Sequence, residues 1–328
     1  MEKFCHGGDI YRNKVKIDFS VNTNPLGISE NVKGAVIDGH NGFGVYPDSE
    51  YELLRNSIAK KENVLPSNVV CSNGAAEMIY AVARAVMPKR AILPMPTFSE
   101  YERALKSVGC EVSYYKLKED NSFKIDEEFV NASCDMDMTF ICNPNNPTGA
   151  VADRKIIEDI KCICIVDECF ADFSQIYSMK DTMPVIKAFT KTYAMAGLRL
   201  GYMICDEDFA KKVREQMPMW NVSSPAQAAG IAALKEDKYI NESINLIKKE
   251  RKYLTDELLG MGYKVFPSEA NFILFKGKKG LYEKLLQSGI LIRKCENFIG
   301  LNEHFYRIAV KTHEENIELI RKLGEISG

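Results

Sequence analysis

The chain has 328 residues, which at roughly 150 residues per domain is about two domains' worth. Lys and Arg total 43 against 45 Asp and Glu, so the formal net charge is −2, and 46% of the residues are hydrophobic. These values exclude a disordered chain and any overall electrostatic bias toward nucleic acid or an anionic membrane.

The N-terminal stretch MEKFCHGGDIYRNKVKIDF has no apolar run that could form a signal-peptide core, and nowhere do about 18 apolar residues follow one another, so neither secretion nor a membrane span is expected. The ten cysteines are the one unusual count. They form no CxxC pair and read as reduced cytosolic thiols that pack as small hydrophobes. Cys162, Cys164 and Cys169 lack zinc spacing, so no metal is expected.

Through the middle of the chain, short apolar strands alternate with amphipathic helices. NVVCS (68–72) predicts a strand, AAEMIYAVARAVM (75–87) a helix, RAILP (90–94) a strand, and FSEYERALKSVG (98–109) a helix closed by Gly109. Strands EVSYYKL (111–117) and MTFICN (138–143), a helical stretch near 153–161, and strands CICIVDE (162–168) and RLGYMIC (199–205) follow. Strands with few polar residues, separated by helices, point to an α/β fold: a mostly parallel central sheet flanked by helices. The last hundred or so residues read as a smaller α+β unit. It comprises helix 241–260, strand NFILF (271–275), helix 280–288, strands ILIRKC (290–295) and FYRIAV (305–310), and helix 313–324, whose start has a Thr312–Glu315 capping box.

Ligands of an open parallel sheet bind at the carboxyl ends of its strands. After NVVCS come Asn73, Gly74, Ala75 and Ala76, small residues that open a helix and let backbone N–H groups approach an anion. After MTFICN comes the rigid loop 144–149, punctuated by two prolines and holding Asn145 and Asn146. Asp167 ends an apolar strand, and a buried carboxylate needs a donor or cation. Lys191 follows the apolar stretch PVIKAF; a lysine in a partly apolar pocket loses its proton easily and can form a Schiff base.

In this order, NPNNPTG (143–149), VDE (166–168), TK (190–191) and GLRLGY (197–202) resemble the fold-type I pyridoxal-phosphate enzymes of the aminotransferase class I/II group, over nearly the whole chain. The resemblance implies the cofactor pyridoxal 5′-phosphate. It gives Lys191 the role of the lysine that binds the cofactor covalently and later moves protons at the substrate α-carbon. It pairs Asp167 with the pyridine nitrogen, whose protonated form is the electron sink. Asn146 matches the side chain that bonds the cofactor's phenolic oxygen, and Phe98 the aromatic that stacks on its ring. Gly74, Ala75, Ala76, Thr190 and Arg199 match the phosphate cup. Tyr46, in the YPD segment, resembles a tyrosine that reaches the phosphate of a neighbouring subunit, which implies a homodimer with shared active sites.

Arg293 and Arg307 match small-domain arginines that bind substrate acid groups, as a guanidinium clamp suits carboxylate or phosphate. Within the group, CHGGD (5–9) and DFSVNTNPLG (18–27) look like the threonine-phosphate decarboxylase pattern, so His6 and Asn22 are expected at the substrate phosphate. The implied reaction is decarboxylation of L-threonine O-3-phosphate for cobalamin synthesis. A histidinol-phosphate type of aminotransferase is the alternative, and a non-enzymatic ligand-sensing module a remote one. The departures are Phe170 where many aminotransferases place Tyr, Cys169 where Ala is commoner, and Asp9 after HGG. The expected organisation is an N-terminal arm (1–37), a large cofactor domain (38–225) and a small C-terminal domain (226–328). Cys71 and Cys142 are expected to end or nearly end strands that point at the cofactor, and Cys169 lies two residues past Asp167.

Overall fold

The computed structural model describes residues 6–174 and 176–327. Cys5, the first residue of CHGGD, lies outside them. Seven strands build the central sheet: β1 (Val69–Ser72), β2 (Arg90–Met95), β3 (Glu111–Lys116), β4 (Met138–Cys142), β5 (Ile163–Asp167), β6 (Val185–Ala188) and β7 (Gly201–Ile204). Their order is β1-β7-β6-β5-β4-β2-β3. β7 runs antiparallel to both neighbours, and the remaining pairs are parallel.

Both faces of the sheet are buried, because successive side chains of a strand point to opposite faces. Phe140, Ile165, Ile186 and Met203 pack with Met78, Ile79 and Tyr101 of helices Gly74–Val86 and Ser99–Ser107. The alternate residues Ile141, Val166, Val185 and Ile204 pack with Leu54, Ile58, Ala226 and Ala229 of helices Glu52–Glu62 and Ser224–Ala233. Full burial of each large apolar side chain stabilises the fold by about 1.5–3 kcal/mol.

Four antiparallel strands, β8 (Lys264–Val265), β9 (Phe272–Lys276), β10 (Arg293–Lys294) and β11 (Phe305–Ala309), form a second sheet in the order β10-β11-β9-β8. Helices Asp237–Gly260, Leu281–Gln287 and His313–Ser327 supply the rest of that core, including Ile247, Leu254, Leu285 and Leu319. The Thr312–Glu315 capping box is present: Thr312 N donates to Glu315 Oε2 (3.2 Å) and Glu315 N to Thr312 Oγ1 (3.5 Å).

Two elements differ from the expectation. ILIRKC is not one strand. Ile290 and Leu291 pair in parallel with Ile17 and Asp18, whereas Arg293 and Lys294 pair with β11. The cause is Phe19, which is fully buried and wedges its backbone between the two. Its N–H donates to Leu291 O (2.7 Å) and its carbonyl accepts from Ala309 N (2.8 Å). RLGYMIC becomes regular only at Gly201, because Arg199 sits at φ +58°, a left-handed backbone incompatible with a strand. Among the described residues no helix is long and apolar enough to cross a membrane.

Candidate active site

The carboxyl ends of the central strands open onto a cavity of about 550 Å³, within the range of small-molecule sites. Asp167, the last residue of β5, reaches it while only 4% exposed. Tyr101 Oη donates to Asp167 Oδ2 (2.6 Å) and the Cys169 N–H to Oδ1 (2.9 Å). With a donor on each oxygen, the carboxylate is held in one orientation. Tyr101 is itself fixed by stacking on Phe140, with centroids 5.1 Å apart.

The loop after β4 is rigid for reasons that lie in its asparagines. Asn145 Nδ2 donates to Pro96 O (2.9 Å) and Thr148 Oγ1 (3.0 Å), and Asn145 Oδ1 accepts from Thr97 (2.9 Å). Asn143 N donates to Asp167 O (2.8 Å), tying the loop to β5. Asn146 is thereby presented to the cavity, where its Oδ1 accepts from Arg307 Nη1. With the amide oxygen committed, the NH₂ end is the one left to donate.

After β6 the chain makes the one-turn helix Phe189–Thr192, which places Thr190 and Lys191 on the cavity wall. Burial, reinforced by the positive charges of Arg307 and Arg199, pushes the Lys191 ammonium down to about 8. Arg199 lies beside the start of helix Gly74–Val86. Gly74 has φ +79°, and a Cβ added there would come within 2.6 Å of Arg199 Nη2. Gly201 is equally constrained, since its Cβ would meet the Ala75 N–H at 2.8 Å. Glycine at both positions lets a guanidinium and a helix N-terminus share one anion-sized space.

Arg293 and Arg307 enter from the second sheet, 5% and 6% exposed. Arg307 lies over Phe272 (5.2 Å) and donates Nη2 to Ser20 O (2.8 Å); burial lowers its affinity for a proton to about 10. Arg293 lies over Phe298 (5.2 Å) and donates to Asn297 Oδ1 (2.8 Å). Two buried polar atoms of the cavity wall, Asn22 Oδ1 and Arg307 Nε, have no partner among the described residues. Unmet buried polar atoms are rare, so these mark where a ligand completes the set.

The cavity therefore gathers Lys191, Asp167, Ala75, Ala76, Phe98, Asn146, Thr190, Arg199, His6, Asn22, Arg293 and Arg307. Gly74 stands just behind the wall, against Arg199. Tyr46 is not brought in: it is exposed and packs on Trp220, centroids 4.6 Å apart. Cys142 and Cys169 line the cavity; Cys71 is next to last in β1, the strand that leads to Gly74, but its side chain lies in a different cleft, with Tyr51 and Arg214. Its place one residue before the end of β1 turns its side chain to the opposite sheet face. Burial pushes the Cys71 thiol up to about 12, and that of Cys169 well above its ordinary value.

His6 Nε2 sits 3.3 Å from Glu100 Oε1, and Arg103 holds the same carboxylate at 2.8 Å. Asp9 pairs with Arg12 (2.8 Å). Sequence reasoning missed Tyr101, Glu100, Arg103 and Ser20. For Tyr101 the signal was present: it follows Phe98 by three positions at the start of a helix, where such residues share a face.

A family model for class I and II aminotransferases matches residues 14–323. The chain belongs to that family. It is 34% identical over 331 residues to the threonine-phosphate decarboxylase of Salmonella typhimurium, covering 94% of this chain and 91% of that one. It is also 34% identical to the histidinol-phosphate aminotransferase of Methanosarcina mazei, covering 93% and 86%. The crystal structure of the histidinol-phosphate aminotransferase from Clostridium acetobutylicum superposes with a TM-score of 0.89 at 34% identity, covering 95% and 99%. The chain is thus an enzyme of the fold-type I class, and its cofactor is pyridoxal 5′-phosphate. The cavity fits that group: a lysine poised to lose its proton, a buried carboxylate held in one orientation, and an anion cradle that a Cβ at Gly74 would fill.

Proposed function

We propose that this enzyme decarboxylates L-threonine O-3-phosphate to aminopropanol phosphate, a step that serves cobalamin synthesis. The observation that carries the reading is the N-terminal arm. Its HGG and NTNPLG segments, the ones most like the decarboxylases, bring His6 and Asn22 into the cavity that also holds Arg293 and Arg307. Four groups able to meet phosphate and carboxylate suit a substrate that carries both.

In this reading the residues take the roles that the family resemblance implies. Lys191 holds the cofactor and shuttles the proton at the α-carbon. Asp167, oriented by Tyr101 and the Cys169 N–H, would pair with the pyridine nitrogen of the cofactor. Asn146 donates to the phenolic oxygen, without a second hydroxyl from Phe170. The N–H groups of Gly74, Ala75 and Ala76, together with Thr190 and Arg199, take the cofactor phosphate, and Phe98 covers the ring. When bound, the cofactor supplies a ring that accepts the electron pair left on the α-carbon. His6, Asn22, Arg293 and Arg307 would hold the substrate's phosphate and carboxylate and so set which α-carbon bond is presented for cleavage. Residues 1–37 act as an arm to the substrate site, 38–225 hold the cofactor and 226–328 form the small domain.

We also read the enzyme as a cytoplasmic homodimer with shared active sites, in which the exposed Tyr46 reaches the neighbour's phosphate cup. Carbon dioxide release from L-threonine O-3-phosphate, with the cofactor remaining in its aldehyde form, tests the activity. Stoichiometric pyridoxamine phosphate in a half-reaction would sink the decarboxylase reading in favour of the aminotransferase one, which the relatives of the histidinol-phosphate type support. Activity regained on mixing Lys191→Ala with Tyr46→Phe protein tests the shared site.

A further inference from the structure

The lysine-bearing turn is only four residues long, so its last carbonyls have few partners of their own. Asn24 supplies them. This residue of the NTNPLG segment is 3% exposed and lies more than 160 positions from the turn in sequence, yet its backbone N–H donates to Lys191 O (3.0 Å). Its side-chain NH₂ donates to the next carbonyl, Thr192 O, at 2.8 Å. The second N–H of the same NH₂ donates to Ser243 Oγ (2.7 Å), and Ser243 in turn donates to Tyr239 O (2.6 Å) on the long helix Asp237–Gly260. The Asn24 oxygens close the local turn: Oδ1 accepts from Leu26 N (3.0 Å) and the backbone carbonyl from Gly27 N (3.1 Å).

Every hydrogen-bonding group of Asn24 is thus engaged, and the pattern is specific to asparagine. Aspartate keeps the acceptor but loses both donors and sets a negative charge against two oxygens. The arm that makes this clamp also lines the substrate cavity a few residues earlier. Ser20 O takes Arg307 Nη2 (2.8 Å), and Asn22 O takes the amide of the buried Asn271 (3.1 Å). On its other side the turn is held by Thr192 Oγ1, which donates to Asp172 Oδ2 (2.7 Å).

We propose that Asn24 is a positioning residue that fixes the height and direction of Lys191 from the substrate-binding arm, so that the seating of the arm and the aim of the lysine are one mechanical unit. This rests on the reading of Lys191 as the cofactor lysine. Misplacing a reacting group by an ångström or less costs rate rather than affinity. The role therefore separates kcat from KM.

The test uses the holoenzyme. Asn24→Ala is expected to lower kcat about tenfold while KM changes by less than roughly twofold. It is also expected to move the pH midpoint of the cofactor's visible absorbance by about half a unit or more. Asn24→Asp, which preserves the turn but not the donors, should give no rescue. Ser243→Ala, which removes only the outer anchor, should shift both readouts in the same direction by less. Should Asn24→Ala fail to fold, Ser243→Ala decides alone: shifted readouts support the clamp, and native ones overturn it. A folded Asn24→Ala with native kcat and absorbance midpoint overturns it, as does Asn24→Asp restoring both, which would leave the turn as the whole role. Borohydride trapping and peptide mapping run alongside. An adduct on a lysine other than Lys191 overturns the cofactor assignment and the clamp together. An adduct on Lys191 with native readouts overturns the clamp alone.

Discussion

Lys187 and Lys191 leave the same strand end, and their surroundings send them opposite ways. Lys187, inside β6, points to the sheet face away from the cavity. Its Nζ lies 2.9 Å from Glu62 Oε1 and 3.9 Å from Asp172 Oδ1. Burial alone would strip its proton, but the carboxylates of Asp172, Glu62 and Glu168 outweigh burial and raise it above its ordinary value. Burial likewise works against the Glu62 carboxylate, and Lys187 with the Tyr202 hydroxyl (2.6 Å) outweighs it, so Glu62 is lowered. Lys191 faces the cavity, with Arg307 and Arg199 among its charged neighbours, and burial there prevails. Lys187 is held as a structural cation, whereas Lys191 gives up its proton more readily and suits the base role proposed for it. Residue type does not distinguish them; the sign of the charges each meets does.

The sharpest way to break that contrast is to remove the base. Lys191→Ala should leave the fold intact, abolish borohydride trapping of the cofactor, and lower turnover by about 10²–10⁴-fold. Turnover at the normal rate would refute the assignment. Lys187→Met is the converse. It leaves Glu62 buried with only Lys180 and Tyr202, so unfolding in urea should show a loss of about 3 kcal/mol, the low end for a broken buried pair. Turnover per folded molecule should stay within roughly twofold of the native enzyme. If Lys187→Met instead kept its stability and lost turnover, the division of labour drawn above would be wrong.

The difference was only half legible in the sequence. The TK dipeptide before GLRLGY marks Lys191 through family resemblance, whereas Lys187, in PVIKAF, gave no sign of a partner. Its carboxylates come from Glu62 and Asp172, and Glu62 arrives from a helix that the polar sequence ELLRNSIAKKE hid. The strand around Lys187 was missed for the same reason: a charge inside an apolar run reads as a break until its buried partner is known. The other parallel strands, their order of appearance and the cavity residues at strand ends and in the loops after them were legible, because these keep chemistry local in sequence. The arm was legible as a motif but not as structure, because its contacts with Leu291, Ala309 and Lys191 are all remote along the chain.

A smaller effect sharpens the cavity side. Tyr101→Phe removes the donor to Asp167 Oδ2 without changing shape, and a hydrogen bond to a charged group contributes about 1.5–3 kcal/mol. The variant should fold, and, under the role proposed for Asp167 at the cofactor nitrogen, kcat should fall about tenfold. A native kcat would show that the Cys169 N–H suffices to hold the carboxylate.

The smallest effect is the most direct reading of the two lysines. In the cofactor-free chain Lys191 titrates near 8 when folded against an ordinary 10.5 when unfolded. Between those values the unfolded chain carries a proton that the folded chain does not, so stability rises with pH across that window, by at most about 1.4 kcal/mol per pH unit. Solvent reaching Lys191 through the cavity will reduce that slope. Lys187 behaves oppositely. Its folded value lies above 10.5, so its stabilisation is complete below 10.5 and is lost as pH climbs through the folded value. Urea midpoints of the cofactor-free protein measured from about pH 7.5 to 10.5 should therefore include a rising component that Lys191→Ala removes and Lys187→Met retains. If Lys191→Ala leaves the native pH profile unchanged, Lys191 is not the depressed base, and the contrast between the two sheet faces falls with it.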